Sequence, residues 1–600
     1  MRRSQRSGPV HGYPRPQLVR EQWESLNGTW RFALDPLAVW RTPDQVEWNA
    51  SIQVPFTPET QASGIHDESL YRACWYQREI ALEPVPSGER LVLHFGAVDN
   101  RATVWLDGQY LGTHEGGYTP FSFDVTHCVE AGGSHVLTVR AYDDPADLSM
   151  PRGKQDWLPE AHSIWYARTT GIWQTVWMER VPNTFVGNIR FTPSVLRWEI
   201  GFEAWLGGDR REDLFLEIRL EARGKVLAHD RYAVIAGEVH RRIALSDPGI
   251  DDSRNELLWS PMSPRLIDAI ITLRTVDGTI LETMRSYTAL RSIGTQGDRF
   301  ILNGRPLSLR LVLDQGLWPE TGLTAPDDAA LRRDVELAKA MGFNGVRKHQ
   351  KIEDPRYLYW ADVLGLLVWE EMPSAYRYTK DSISRVMSQW REVIERDYSH
   401  PCIVVWVPFN ESWGVPNLPD SAAERHYVQA LYHLTHTLDT TRLVVGNDGW
   451  EAVATDIIGI HDYDDDPARI AHRYGADHLK PRLLKKERPG GRELLLGADA
   501  LSDTPMVLSE FGGITIANDK GEWGYSMCRT SEELQERYEA LMDVVRDLGM
   551  FCGSCYTQFT DTYQEANGLL RADRTPKFPL EAIYNATRGG PRRRPTPPQP

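Results

Sequence analysis

Asp327-Asp-Ala-Ala-Leu-Arg-Arg-Asp-Val-Glu-Leu-Ala-Lys-Ala-Met-Gly342 is followed, after Phe343, by Asn344-Gly-Val-Arg-Lys-His349. In the first segment Leu331, Val335, Ala338 and Met341 recur at the spacing of one helix face. Asp327 and Asp328 suit its opening and Gly342 its end. The second segment is a strand that starts at once. The same alternation continues along this part of the chain. Further apolar runs at Leu309–Leu313, Leu364–Trp369, Ile403–Val407, Leu443–Gly446, Ile457–Ile460, Pro505–Leu508 and Gly553–Thr557 bring the strands to eight. Helical stretches lie between several of them, as at Ser382–Arg396 and Ser531–Leu548. Eight strands alternating with helices predict a (β/α)8 barrel over 292–588, with its site at the C-terminal strand ends.

The residues after each run are polar: Asp314-Gln315, Arg347-Lys348-His349, Glu370-Glu371, Asn410-Glu411, Asn447-Asp448, His461-Asp462-Tyr463, Glu510 and Gln558. A solvated rim is polar too, so no one of them decides the matter. The pairing of two glutamates does more. Glu411 ends the fourth strand and Glu510 the seventh, nearly opposite around the barrel mouth. Two facing carboxyl groups about 5–5.5 Å apart are what a retaining glycosidase needs. One protonates the leaving oxygen and later deprotonates water; the other attacks the anomeric carbon. Glu411 is the candidate acid/base and Glu510 the candidate nucleophile. Asn410 is placed to hold a sugar 2-hydroxyl, and Tyr463 to donate a hydrogen bond that keeps Glu510 ionised. Asp314, Arg347, His349, Glu370, His461 and Gln558 are candidate sugar ligands from the rim. Trp413, just past Glu411, and Trp318, after the first strand, are candidates for stacking on a sugar. Of Glu370 and Glu371, one should face the barrel and one should not. Trp406, inside the fourth strand, reads as core.

Upstream the pattern is all β. Arg90–Phe95, Ala102–Leu106 with its Asp107-Gly108 turn, and His135–Arg140 are short strands bounded by turn residues. They define a first β domain over 1–182. A second, 183–291, carries Leu214–Leu220 and Ala269–Arg274, with the length and strand spacing of an immunoglobulin-like sandwich. The tail, 589–600, rich in Pro and Arg, is expected to be disordered.

The net charge of −16 argues against nucleic acid or an anionic membrane as partner. No run approaches a membrane span. The basic segment Met1–Gly12 has no apolar core, so no secretory signal is expected and the sequence reads as cytoplasmic. Six cysteines are too few for a disulfide scaffold, and Cys552-Gly-Ser-Cys555 has no second pair to complete a metal site. No metal or organic cofactor is expected, since a carboxylate pair needs none. A homo-oligomer stays open.

Several segments carry a family resemblance. Upstream they are Gly96-Ala-Val-Asp-Asn-Arg-Ala-Thr-Val-Trp-Leu-Asp-Gly108, Gly116-Gly-Tyr-Thr-Pro-Phe121, Thr170-Gly-Ile-Trp-Gln-Thr-Val176 and Leu258-Trp-Ser-Pro-Met-Ser-Pro264. Phe300-Ile-Leu-Asn-Gly-Arg-Pro306, His400-Pro-Cys-Ile-Val-Val-Trp-Val-Pro-Phe-Asn-Glu411 and Ser509-Glu-Phe-Gly-Gly513 follow in order. Together they resemble glycoside hydrolase family 2 over nearly the whole chain. The resemblance implies a jelly-roll sugar-binding domain, an immunoglobulin-like domain and a catalytic (β/α)8 barrel. It also implies a retaining exo-glycosidase acting on a carbohydrate.

Three departures bear on the sugar. Where the family often has Arg-x-x-His-Tyr-Pro, this chain has Arg347-Lys-His-Gln350. His349 is thus one residue closer to Arg347, which reverses its facing on an extended chain. Where family glucuronidases carry Asn-x-Lys for the uronate carboxylate, this chain has Glu565-Ala-Asn567, which would repel it. The large galactosidases' Trp in strand eight is absent from Cys555-Tyr-Thr-Gln558. By exclusion the expectation is a neutral sugar, a galactoside or galactofuranoside, with arabinofuranosidase and β-glucuronidase as alternatives. A transglycosylase and a non-catalytic glycan-binding protein are the readings from other classes.

Overall fold

The computed structural model describes residues 11–129, 132–246, 256–475, 491–496, 504–516 and 521–589. The expected disordered tail falls, from residue 590 on, outside the described residues.

The first β region packs two antiparallel sheets face to face. One runs Trp23–Ser25, Val176–Pro182, Glu89–Phe95, Phe121–Asp124. The other runs Ala50–Val54, Gly28–Asp35, Ala73–Leu82, Gly133–Tyr142, Arg101–Leu106, Gln109–Glu115. Trp30, Phe32, Tyr76, Leu93, Phe95, Val104 and Val139 fill the space between them. The hairpin expected at Asp107-Gly108 is present, with both residues at positive φ (51° and 76°). The second β region sets the three strands Thr184–Ser194, Glu199–Gly208 and Glu238–Ala244 against the four strands Lys225–Ala233, Leu214–Ala222, Ile267–Thr275 and Ile280–Thr288. Alternation in Leu214-Phe-Leu-Glu-Ile-Arg-Leu220 sends Leu214, Leu216, Ile218 and Leu220 into that core.

The remainder is a barrel of eight parallel strands. They are β1 (Leu309–Asp314), β2 (Gly345–Lys348), β3 (Leu367–Glu371), β4 (Ile403–Val407), β5 (Leu443–Val444), β6 (Ile458–His461), β7 (Met506–Gly512) and β8 (Gly553–Thr557). Their lateral order is β5-β4-β3-β2-β1-β8-β7-β6. Between the two end strands, the Asp456 amide donates to the Val444 carbonyl at 2.8 Å, and the Asp456 carboxylate accepts from the Val444 amide at 2.8 Å. The described helices around it are α1 (Asp328–Ala340), α2 (Pro355–Leu364), α3 (Lys380–Asp397), α4 (Ala422–Leu438), α5 (Pro467–Tyr474), α6 (Ser531–Asp547) and α7 (Leu580–Arg588). Helices outside and packed side chains inside explain why β4 and β7 are buried along their whole length and why Ile403–Val407 and Met506–Leu508 read as apolar runs.

Asp327 caps α1 by accepting from the Ala330 amide, so the opening segment folds as its sequence indicates. The third strand differs: it starts at Leu367 rather than Leu364. Leu364 closes α2, and Gly365, at φ 77°, turns the chain out of the helix. Loop 143–170 of the first β region crosses onto the barrel mouth. There the Arg152 and Gly153 amides donate to the Ser374 carbonyl at 3.1 and 3.2 Å, and the Tyr376 amide donates to the Leu148 carbonyl at 2.9 Å. No helix among the described residues is long and apolar enough to cross a membrane.

Candidate active site

Arg347 is the centre of the mouth. β2 turns its side chain inward, where it is fully buried. Its guanidinium meets Glu371 at 2.6 Å, Glu510 at 2.7 Å, Asp448 at 2.9 Å and the Asn410 side-chain oxygen at 2.6 Å. One planar fork thereby orients groups from four other strand ends. Three buried carboxylates around one guanidinium are tolerable because His461 also stands against two of them, Asp448 at 3.2 Å and Glu510 at 3.4 Å.

Glu411 follows β4 in the left-handed region, at φ 50°, as does Ser412 at φ 58°. A non-glycine pair there stores strain, which the surroundings must hold. The end of β5 supplies that hold. The Glu411 amide donates to the Asp448 carbonyl at 2.9 Å, and the Ser412 amide to the Asn447 side chain at 2.9 Å. Opposite, Glu510 lies within β7; one of its oxygens takes Arg347 and the other accepts from the Tyr463 hydroxyl. Tyr463 is stacked on Tyr525 with ring centroids 3.4 Å apart.

His461, ending β6, links the two sides. Its Nδ1 is 2.7 Å from Glu411 Oε1, and its Nε2 is 3.2 Å from Asp448 and 3.4 Å from Glu510. Oxygens of Glu411 and Glu510 and a nitrogen of His461 all lie within 4.8 Å of one another. Gly449, at φ 82°, makes room for the imidazole, since a Cβ there would run into the ring. Burial disfavours charge on His461, but Glu510, Asp448 and Glu411 outweigh it and raise its pKa to about 10. Burial likewise opposes ionisation of Glu510, yet His461 and Arg347 hold its pKa well below the usual carboxylate range. The arrangement offers one group kept anionic for attack and, beside it, one half-buried carboxyl able to face a ligand.

Asn410 is fully buried. Its oxygen is engaged by Arg347, while its Nδ2 has no hydrogen-bond partner among the described residues and is available to donate to a ligand hydroxyl. His349 stands 3.0 Å from Glu371, with its ring edge-on to Trp413 at 6.1 Å. It therefore shares Arg347's side of β2, as the two-residue spacing requires. Gln558, just past β8, accepts from Gln315 at 3.1 Å and donates to Asn567 at 2.6 Å. Asn567 donates to Glu565 at 3.0 Å, and Tyr166 of the first β region donates to the other Glu565 oxygen.

Three residues expected to line the pocket do not. Asp314 points into the helix layer, where Lys348 meets it at 2.9 Å and also reaches Glu353 at 2.7 Å and the Tyr357 ring of α2. One residue further along, the strand alternation would have sent it inward. Glu370 also faces outward. It is buried against Asp397 and Arg396 of α3, and burial together with Asp397 pushes its pKa well up. Glu371 is the inward member of that pair. Trp318 is packed between Lys351 and Arg574, ring to cation at 5.1 and 4.6 Å, and is only 6% exposed.

Groups that the sequence marked only as rim residues, and others it did not mark at all, complete the site. Glu371 and Asp448 stand at strand ends, and counting inward parity from Arg347 would have found Glu371. Tyr525, Tyr166 and Lys154 come from loops with no periodic signal, and only the fold brings them to the mouth.

Two family models match the chain: "Glycosyl hydrolases family 2, TIM barrel domain" over 293–587 and "Glycosyl hydrolases family 2, sugar binding domain" over 66–150. The chain belongs to glycoside hydrolase family 2. Among the relatives of this family 2 chain is a β-galactosidase of Thermoanaerobacter pseudethanolicus. It is 27% identical over 432 residues, a match covering 70% of this chain and 53% of that protein. The chain spans about half the length of the first curated relatives it matches. Among solved structures, a Bacteroides uniformis β-glucuronidase superposes with a TM-score of 0.76 at 23% identity, covering 94% of this chain and 69% of that one. An Eisenbergiella tayi β-galacturonidase superposes with a TM-score of 0.74 at 20% identity, covering 97% and 98%. These likenesses show the fold.

Proposed function

We propose that this family 2 chain is a retaining exo-glycosidase, with Glu510 as nucleophile and Glu411 as acid/base. The observation that carries this reading is the approach of the two carboxylates to within 4.8 Å around His461. An inverting pair needs room for a water between them, at separations of about 6.5–9.5 Å. In the first half-reaction Glu411 gives its proton to the glycosidic oxygen while Glu510, held ionised, attacks the anomeric carbon. In the second, Glu411 takes a proton from water, and water displaces Glu510 with net retention. Asn410 Nδ2 donates to the 2-hydroxyl, and Tyr463 releases Glu510 as the covalent bond forms.

The sugar in this reading is neutral, of galactoside type, as a pyranoside or furanoside. Glu565, fixed by Tyr166 and Asn567, faces the sugar with hydrogen-bond acceptors suited to hydroxyls and opposed to a carboxylate. A panel of 4-nitrophenyl pyranosides and furanosides, with the first-formed anomer read by NMR, tests both parts. Release from a galactoside with retention is expected. An inverted product overturns the mechanism; a uronide as sole substrate overturns the sugar.

A further inference from the structure

Loop 143–170 brings to the mouth a cation that the proposed reaction does not use. Lys154 is half-buried, and its ammonium stands 5.5 Å from the centroid of the Trp413 ring and 5.7 Å from that of Tyr166. Among the described residues no carboxylate lies within ion-pair distance of it. The neighbouring cations are neutralised: Arg347 by three acids and Lys348 by two. In a chain of net charge −16, an unneutralised lysine beside such a pocket has an open place for an anion from outside.

The position of that lysine is fixed from both sides. Gly153, before it, accepts from the Tyr376 hydroxyl at 2.5 Å and sits at φ 59° against Gln350, where a Cβ would collide with the backbone carbonyl. The carbonyl of Lys154 itself accepts from the Tyr166 amide at 2.8 Å.

Direction follows from chemistry. Glu411 protonates the leaving oxygen, so the leaving group departs on the side of Glu411, and Trp413 is two residues on. From Trp413 an aromatic wall continues through Tyr376, at 5.8 Å, to Trp157 and Trp165, at 5.3 and 6.0 Å from Tyr376. Rings of this kind stack on flat or sugar-like faces. An anion on the sugar itself would instead meet Glu565.

We infer that Lys154 and the Trp413–Tyr376–Trp157 wall form a leaving-group subsite that selects a planar aglycone bearing a carboxylate. The inference rests on the glycosidase reading above. The test compares the 4-nitrophenyl glycoside of the cleaved sugar with its 3-carboxy-4-nitrophenyl counterpart, in wild type, Lys154→Arg and Lys154→Met. In wild type and Lys154→Arg, kcat/KM should favour the carboxylated substrate about five-fold, through KM, the size of a half-exposed ion pair. In Lys154→Met that ratio should fall to about one. Equal ratios in wild type and Lys154→Met overturn the subsite, as does a lysine dependence seen only with uronides. Binding of 5-hydroxy-2-nitrobenzoate, measured by calorimetry, gives a readout independent of turnover. It should weaken in Lys154→Met, and unchanged binding overturns the inference. Absence of turnover on every glycoside counts against the glycosidase reading instead.

Discussion

His461 Nδ1 lies 2.7 Å from Glu411 Oε1, and the same ring reaches Glu510 on its far side. An imidazolium there is shared between the proposed acid/base and the proposed nucleophile. It attracts both carboxylates and sets their separation. Replacing it with glutamine keeps a donor and removes the charge. His461→Gln should lower kcat/KM by about a hundredfold, in the range seen when one preorganised electrostatic partner is deleted. The loss should be smaller for a 2,4-dinitrophenyl leaving group, which needs little protonation. Equal losses on good and poor leaving groups would place the effect on Glu510 rather than on proton donation by Glu411.

The same group makes stability depend on pH. Its folded pKa, about 10, is raised above the ordinary histidine value by Glu510, Asp448 and Glu411 against burial. Its contribution is therefore full below about pH 6.5 and is lost as pH rises toward 10. Thermal melts between pH 7 and 10 should show a decline in wild type that is shallower in His461→Gln.

Glu510→Gln should lose at least about ten-thousandfold in kcat while keeping its melting temperature within a few degrees, as expected for removal of a nucleophile. Glu411→Ala should retain turnover of dinitrophenyl substrates and accumulate the glycosyl-enzyme, visible as a mass shift on the intact protein. Failure to trap that adduct would count against covalent chemistry.

Glu370 offers a test away from the site. Its folded pKa is raised by burial and by Asp397. Its stabilisation is thus complete below the ordinary glutamate range and erodes as pH climbs. Glu370→Gln should be more stable than wild type at pH 8 and lose that advantage near pH 4, with kcat changed less than about threefold.

Gly449 can be tested by a methyl group. Gly449→Ala places a Cβ against the His461 ring on a backbone already at positive φ. A loss of about tenfold or more in kcat/KM, with KM little changed, is expected.

The barrel was legible because its strands are buried on both sides and separated by amphipathic helices; both signals are local. The facing of single residues was legible only where the strand register was known. Asp314 and Glu370 each sit one residue out of phase with the mouth, an error of one step in a period of two. The bulge between β3 and β4, at Val368/Trp369, further upsets counting from the ends. Trp318 failed for another reason: a tryptophan in a loop after a strand can as well close the core, and Lys351 and Arg574 claim both its faces. Glu565 was legible against the family motif, but Tyr166 and Lys154 were beyond reach because their meeting with it depends on how a loop hundreds of residues upstream lands on the barrel.

That landing has a consequence for how specificity can change. The bonds made and broken belong to strand ends locked together by Arg347, whereas one wall of the crevice is lent by a loop of a separate unit, held there by main-chain bonds and by the side chains of Tyr166, Trp165 and Trp157. Exchanging residues 154–165 would retune what the crevice accepts without disturbing the reacting atoms. Without that wall the crevice would stand open on one flank, indifferent to what its substrate is attached to.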